Sequence, residues 1–249
     1  FIQNKEKIKV LKNVNFNSDT KIIKQRGDTM KKVTRKVLVY LLLVCSLVGL
    51  MPQVSVFAAQ DKDFLFDAAT GTITKYTGVN SGNLVIPTEL EGVEVKAIGE
   101  YAFYKCNGLT GNLLIPDGVK TIGKNAFFGC TGLTGSLVIP EGVTTIGDSA
   151  FMGCTGLTGN LVIPESVTTI GPSAFYNCKG LTGNFVIPKG VTTIGYYAFY
   201  GCKGLTGNLI ISEGVDSIGF CAFYFCTGIS NVYFYGDAPS FIGTNAFEN

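Results

Sequence analysis

The sequence predicts a solenoid, a β-rich stack of about seven coils of 24 residues each. Three recurrences at one period carry that expectation. Cysteine returns at Cys106, Cys130, Cys154, Cys178, Cys202 and Cys226. Ile-Gly occupies 98–99, 122–123, 146–147, 170–171, 194–195, 218–219 and 242–243. Ala-Phe follows at 102–103, 126–127, 150–151, 174–175, 198–199, 222–223 and 246–247. The 32 glycines suit many tight turns rather than long helices.

The residues ahead of the repeats are of another kind. Residues 30–58 read as a secretory signal peptide: a basic start (Lys31, Lys32, Arg35, Lys36), an apolar run from Val37 to Met51, and Val56-Phe57-Ala58 before the cut. An uncleaved membrane anchor is the alternative, but the run is short and wrongly flanked for one. Cys45 follows Val44 rather than a small residue, which argues against a lipidated cysteine. Residues 1–29 precede the first methionine, Met30. Arg26-Gly27 is encodable by a purine-rich run just before its codon, so 1–29 read as translated upstream sequence or a disordered segment.

This division changes the charge argument. The whole chain carries a formal +2, but from Ala59 onward nine Lys face fifteen Asp or Glu. The secreted part is therefore mildly acidic, which argues against a nucleic-acid binder, since that needs a basic stripe. There is no His and no Trp. The usual general base near neutral pH is missing, and with it the commonest nitrogen metal ligand.

Residues 133–154 show how one repeat makes one coil. Leu137-Val138-Ile139 has strand composition. Alternation sends Leu137 and Ile139 inward, with Ser136, Val138 and Pro140 outward. Pro140 ends the strand, and Val143 and Ile146 point back inward while Thr144 and Thr145 mark an extended, solvent-facing segment. After Gly147, "DSAFMGC" is expected to form a short helical or 3₁₀ turn that buries Ala150, Phe151 and Cys154. The ladder cysteines are read as free, buried packing thiols, because equivalent Cβ atoms in parallel rungs point the same way and suit disulfide geometry poorly. A metal site at Cys221 and Cys226 has no His beside it.

The stack ends differently from its middle. Residues 59–83, with Phe64, Phe66 and Ile73 around an "ATG" turn, are expected to be a hairpin cap on the repeats of 84–249. The first repeat carries five extra residues, "TELEG", before Val93. In the closing unit, Val232 and Phe234 are expected inside and Tyr233 and Tyr235 outside, with the last coil truncated.

"IPEGVTTIGDSAFMGCTGLT" and its copies, the "FDAATGTITKYTG" leader and the "VYFYGDAPS" closing unit resemble the BspA-like leucine-rich repeat proteins of bacterial surfaces. The resemblance spans residues 62–249. It implies a leucine-rich-repeat solenoid with one parallel strand per coil. It also implies secreted or cell-surface display and adhesion to a protein or glycan on a host or bacterial surface, with no membrane insertion once the signal is removed. It brings no catalytic residues and no cofactor.

Within the repeats, chemistry must come from outward columns. The column Asp117, Glu141, Glu165, Lys189, Glu213 and Asp237 reads as a solvated rim, with weak cation binding the alternative. Asn112, Ser136, Asn160, Asn184 and Asn208 read as partners of turn backbone, with ligand contact the alternative. Without His no nucleophile–base–orienter set assembles, so the chain is read as no enzyme. One feature stands out: Tyr176, Tyr196, Tyr197, Tyr200, Phe220 and Tyr224 accumulate on one side of the C-terminal coils. Tyr and Phe gathered on a surface suit protein or sugar contacts; packing between coils, or against a further C-terminal segment, is the alternative. For the chain as a whole, a passive surface scaffold or a non-catalytic accessory module of a longer secreted protein stands beside the adhesion reading.

Overall fold

The computed structural model describes residues 8–11 and 61–248. Residues 30–58, read as a signal peptide, and residues 1–29 apart from Ile8–Leu11 lie outside these residues.

Leu84–Val85 and Leu113–Leu114 pair in a parallel sheet of their own, and two longer sheets carry the rest of the repeats. One holds Gly135–Val138, Leu157–Val162, Leu181–Ile187, Leu205–Ile211 and Ile229–Tyr235 in succession, with Ile8–Leu11 beside the last. The other begins with the antiparallel hairpin Phe64–Asp67/Thr72–Tyr76. It continues through two-residue strands at 97–98, 121–122, 145–146, 169–170, 193–194, 217–218 and 241–242. Neighbouring short strands pair in parallel at the repeat period, as in Thr145 with Thr169 and Ile146 with Ile170. The coil therefore has a second strand where the Thr pairs indicated extended chain. Thr144, Thr168 and Thr192 each donate a side-chain hydrogen bond to a carbonyl one coil earlier, at 3.2–3.3 Å. The inserted "TELEG" is a tight antiparallel turn between Glu89–Leu90 and Val93–Glu94. Glu91 and Gly92 both have positive φ there (53° and 75°), as a two-residue type I′ hairpin requires.

The "DSAFMGC" segment is a run of overlapping turns rather than a helix. Ala150, Met152 and Cys154 donate three residues back within the coil, to the carbonyls of Gly147, Ser149 and Phe151 at 3.1–3.2 Å. Ser149, Phe151 and Gly153 donate instead to the next coil, to Pro172, Ala174 and Tyr176 at 2.7–2.8 Å. A helix needs every amide for its own chain. Here alternate amides are shared with the neighbour, and the left-handed backbone at Ser149 and Gly153 (φ 52° and 75°) breaks any helical run. The only 3₁₀ turn among the described residues is Asp61–Asp63.

Each coil points the same residues into one core. Leu137, Ile139, Val143, Ile146, Ala150, Phe151 and Cys154 are all at most 4% exposed, and their counterparts repeat the pattern. Pro140, expected outside, is buried, because the chain turns there and no longer follows strand alternation. Val138 stays outside as expected, as do the rim residues Asp117, Glu141, Glu165, Lys189, Glu213 and Asp237.

Phenylalanine forms the central column. Phe103, Phe127, Phe151, Phe175, Phe199, Phe223 and Phe247 stack face to face with centroids 4.9–5.5 Å apart and planes within 9°. Tyr76 of the hairpin stacks on the first of these rings at 5.4 Å, and Phe234 meets the last edge-on at 6.0 Å. Each such ring contributes roughly 1.5–3 kcal/mol by burial, and each stacked pair about 0.5–1.5 kcal/mol more.

Among the described residues the cysteines are free, and those of the ladder bond rather than merely fill. The thiols of Cys130, Cys154, Cys178, Cys202 and Cys226 donate at 3.0–3.1 Å to the carbonyls of Phe103, Phe127, Phe151, Phe175 and Phe199, each in the preceding coil. Burial pushes the Cys130 and Cys226 thiols up to about 12 and those of Cys154, Cys178 and Cys202 well above the ordinary thiol value. All five stay protonated donors. Cys106 is half-buried, because the hairpin rather than a full coil lies before it.

The recurrent Ile-Gly pair follows from spacing. A Cβ on Gly147 would lie 2.7 Å from both the carbonyl carbon of Gly123 and the amide nitrogen of Lys124, so two backbones approach where no side chain fits. Gly147→Ala is expected to destabilise the stack by about 1–3 kcal/mol, read as a lowered urea midpoint; an unchanged midpoint would refute the close approach. Native-state alkylation should label Cys106 and Cys221 ahead of the five ladder cysteines, which should react only on unfolding. Peptide mapping of the labelled sites checks this.

Candidate recognition face

The turn ladder fixes where the outward side chains stand. Asn177 donates its amide to the carbonyl of Tyr200, and Gly201 to that of Tyr224, both at 2.8 Å. The side chains at positions 176, 200 and 224 therefore rise one above another at coil spacing. Tyr176 and Tyr200 stack with centroids 4.7 Å apart and planes 3° apart, and Tyr200 and Tyr224 stack at 5.5 Å. All three are half-buried. Burial first, then the neighbouring Tyr176 and Tyr224 phenols, raise the Tyr200 hydroxyl above its ordinary pKa.

More exposed rings flank this spine. Tyr197 meets Tyr200 edge-on at 5.8 Å, and Tyr196 meets Tyr197 at 5.9 Å. Phe225 lies 5.7 Å from Tyr200 and 4.2 Å from Tyr224. Tyr196, Tyr197 and Phe225 are 52%, 38% and 40% exposed. The ring contacts thus join five of the six sequence-selected residues, Tyr176, Tyr196, Tyr197, Tyr200 and Tyr224. Phe220, also exposed, turns to Phe241 of the final coil at 5.6 Å.

Phe225 was not singled out from the sequence, although a signal existed. Its column otherwise holds Lys105, Gly129, Gly153, Asn177 and Gly201, and all six residues have positive φ. A phenylalanine in a column of mostly glycine and asparagine breaks the pattern. Phe241 breaks the Thr column in the same way. A second, smaller ring cluster lies in the first coils, where Tyr104 meets Tyr101 at 5.4 Å and Phe128 at 5.1 Å. There Lys105 places its ammonium 5.3 Å from the Tyr104 ring centre.

The asparagine column bonds from coil to coil. Asn83 and Asn184 accept the backbone amides of Asn112 and Asn208 one coil on, at 2.8 and 3.2 Å, and Asn231 donates from its side chain to Asn208 at 3.1 Å. Cys221 is half-buried with its sulfur 3.9 Å from the Thr244 carbonyl. Among the described residues no group of His, Cys, Asp and Glu could hold a metal ion. None of the described helices is long and apolar enough to cross a membrane.

A solenoid of 24-residue coils with stacked Phe and Cys columns defines a leucine-rich-repeat protein. The chain belongs to the BspA type leucine-rich repeat region family, which matches residues 80–206 and 158–249 in six copies. It is similar to the leucine-rich repeat protein of T. pallidum, with 29% identity over 71% of this chain and 85% of that one and a TM-score of 0.61. It is also similar to a leucine-rich cell surface protein of Faecalibacterium prausnitzii, with 30% identity over 74% of this chain and 56% of that one and a TM-score of 0.57. No curated protein matches it.

Proposed function

We propose that this chain is a secreted or cell-surface adhesion module that holds a partner on its C-terminal aromatic face. One observation carries the reading: Tyr176, Tyr196, Tyr197, Tyr200, Tyr224 and Phe225 form a connected ring cluster with three members well exposed on the outside of a rigid stack. Tyr and Phe give a large contact area at low entropy cost, because each has only two side-chain rotations to lose, and such residues dominate binding hot spots. Membership of a surface-repeat family and likeness to a cell surface protein support display outside the cell. The signal-peptide reading of residues 30–58 supports it independently.

The spine makes a protein partner fit better than a glycan. Sugar rings stack on open aromatic faces, but the faces of Tyr176, Tyr200 and Tyr224 are turned largely to one another. Ring edges and hydroxyls are what this spine offers outward, and they suit peptide groups. With no His in the chain, the face works as a non-catalytic contact surface.

The test is binding of the chain to a panel of matrix proteins, glycans and bacterial surfaces at physiological salt. Saturable binding to a protein is expected. Replacing Tyr196, Tyr197, Tyr200 and Tyr224 together by alanine should weaken it at least about tenfold. Saturable binding that survives the fourfold change would remove the aromatic face from the reading, and no saturable binding at all would favour a passive scaffold.

A further inference from the structure

Two of the exposed rings stand on backbone that disfavours them. Tyr197 and Phe225 have φ of 57° and 58°, the left-handed region, which is costly for a residue with a Cβ and least so for Gly, Asn and Asp. Most equivalent coils use smaller or more tolerant residues. Asn125, Ser149, Ser173, Cys221 and Asn245 share the column of Tyr197, with Tyr101 of the N-terminal ring cluster the other aromatic in it. Gly129, Gly153, Asn177 and Gly201 share that of Phe225, with Lys105 at its start. Burial does not offset the cost fully, because both rings remain more than a third exposed. Both meet Tyr200, at 5.8 and 5.7 Å. Bulky side chains on left-handed backbone with open faces are what a contact site, rather than a folding requirement, would retain.

Charge indicates what they contact. Lys179 and Lys203 are exposed and lie two residues past Asn177 and Gly201, the two coils beneath Phe225 in its column. The same slot holds Thr131, Thr155 and Thr227 in neighbouring coils. From residue 125 to the end the only basic residues are Lys179, Lys189 and Lys203, so two of three follow within three residues of the cluster's Tyr176 and Tyr200 while the rim column is mainly acidic. In the N-terminal cluster, by contrast, Lys105 covers a ring itself.

We propose that Tyr197, Tyr200 and Phe225, with Lys179 and Lys203 beside them, bind an acidic protein segment that carries an apolar side chain. This rests on the aromatic face being the contact surface. The apolar side chain sits against the three rings and the carboxylates meet the two ammonium groups. The acidic rim repels the segment from the remaining surface and so sets its placement.

The experiment selects a random-peptide phage library on the full chain and measures the enriched peptides against variants. Enriched sequences should be rich in Asp and Glu around an aromatic or aliphatic residue. Lys179→Glu with Lys203→Glu should weaken them at least about tenfold and reverse their salt dependence, added salt then screening a repulsion instead of an attraction. Tyr197→Asn with Phe225→Asn, the residue type used in other coils, should weaken them similarly while leaving the melting temperature unchanged or higher. A fall of more than about 5 °C would show the rings serve the fold and would overturn the proposal. Neutral or basic peptides that depend on the tyrosines would overturn the acidic partner yet keep the face, whereas acidic peptides indifferent to the four-tyrosine alanine variant would sink the face itself. Absence of any enrichment also counts against the proposal.

Discussion

The spacing between coils governs everything else in this molecule. Backbone hydrogen bonds tie each coil to its neighbours through both sheets and, less usually, through the turns, where Ser149, Phe151 and Gly153 donate to the following coil. That ladder holds the phenylalanine rings 4.9–5.5 Å apart, close enough to stack and too close for a side chain at Gly147. It also puts each ladder thiol within reach of a carbonyl in the coil before it. One coil has too little core to offset its own ordering, at roughly 1–2 kcal/mol of backbone entropy per residue. The stack folds because each coil is lined on both faces by another.

The same constraint explains how a repetitive chain acquires a site. Inward positions admit little change, since a different residue would disturb stacking, thiol bonds and close backbone contacts together. Outward positions are nearly free of such demands, and there the coils diverge. In positions 196–225 the divergence is toward aromatic residues, and the ladder transmits its spacing to them, so that Tyr176, Tyr200 and Tyr224 stack as the core rings do. Rigid placement lowers the entropy lost when a partner settles on the rings.

Much of this was legible in the sequence because the period is so regular. Cys, Ile-Gly and Ala-Phe mark the inward columns, and the alternation at Leu137-Val138-Ile139 sorts strand residues correctly. Less legible was the turn region. "DSAFMGC" has the composition of a short helix, and nothing in one copy shows that alternate amides belong to the next coil; that property exists only in the stack. The burial of Pro140 escaped for a related reason, because alternation holds within a strand and not beyond its end. For the face, the runs of tyrosine were visible as departures from each column. Grouping by residue type, however, overlooked Phe225, whose significance lies in the glycine and asparagine it replaces, and joined Phe220, which faces Phe241 instead.

The most direct test of the central claim is native-state hydrogen exchange along the turn column. If the turns form an inter-coil ladder, the amides of Asn177, Phe199 and Gly201, which donate to the next coil, exchange only with global unfolding of the stack. Their protection then equals that of the core strand Leu181–Ile187. Exchange at the rate of an ordinary surface loop would contradict it, and would leave the aromatic face without the rigid support on which its function is argued.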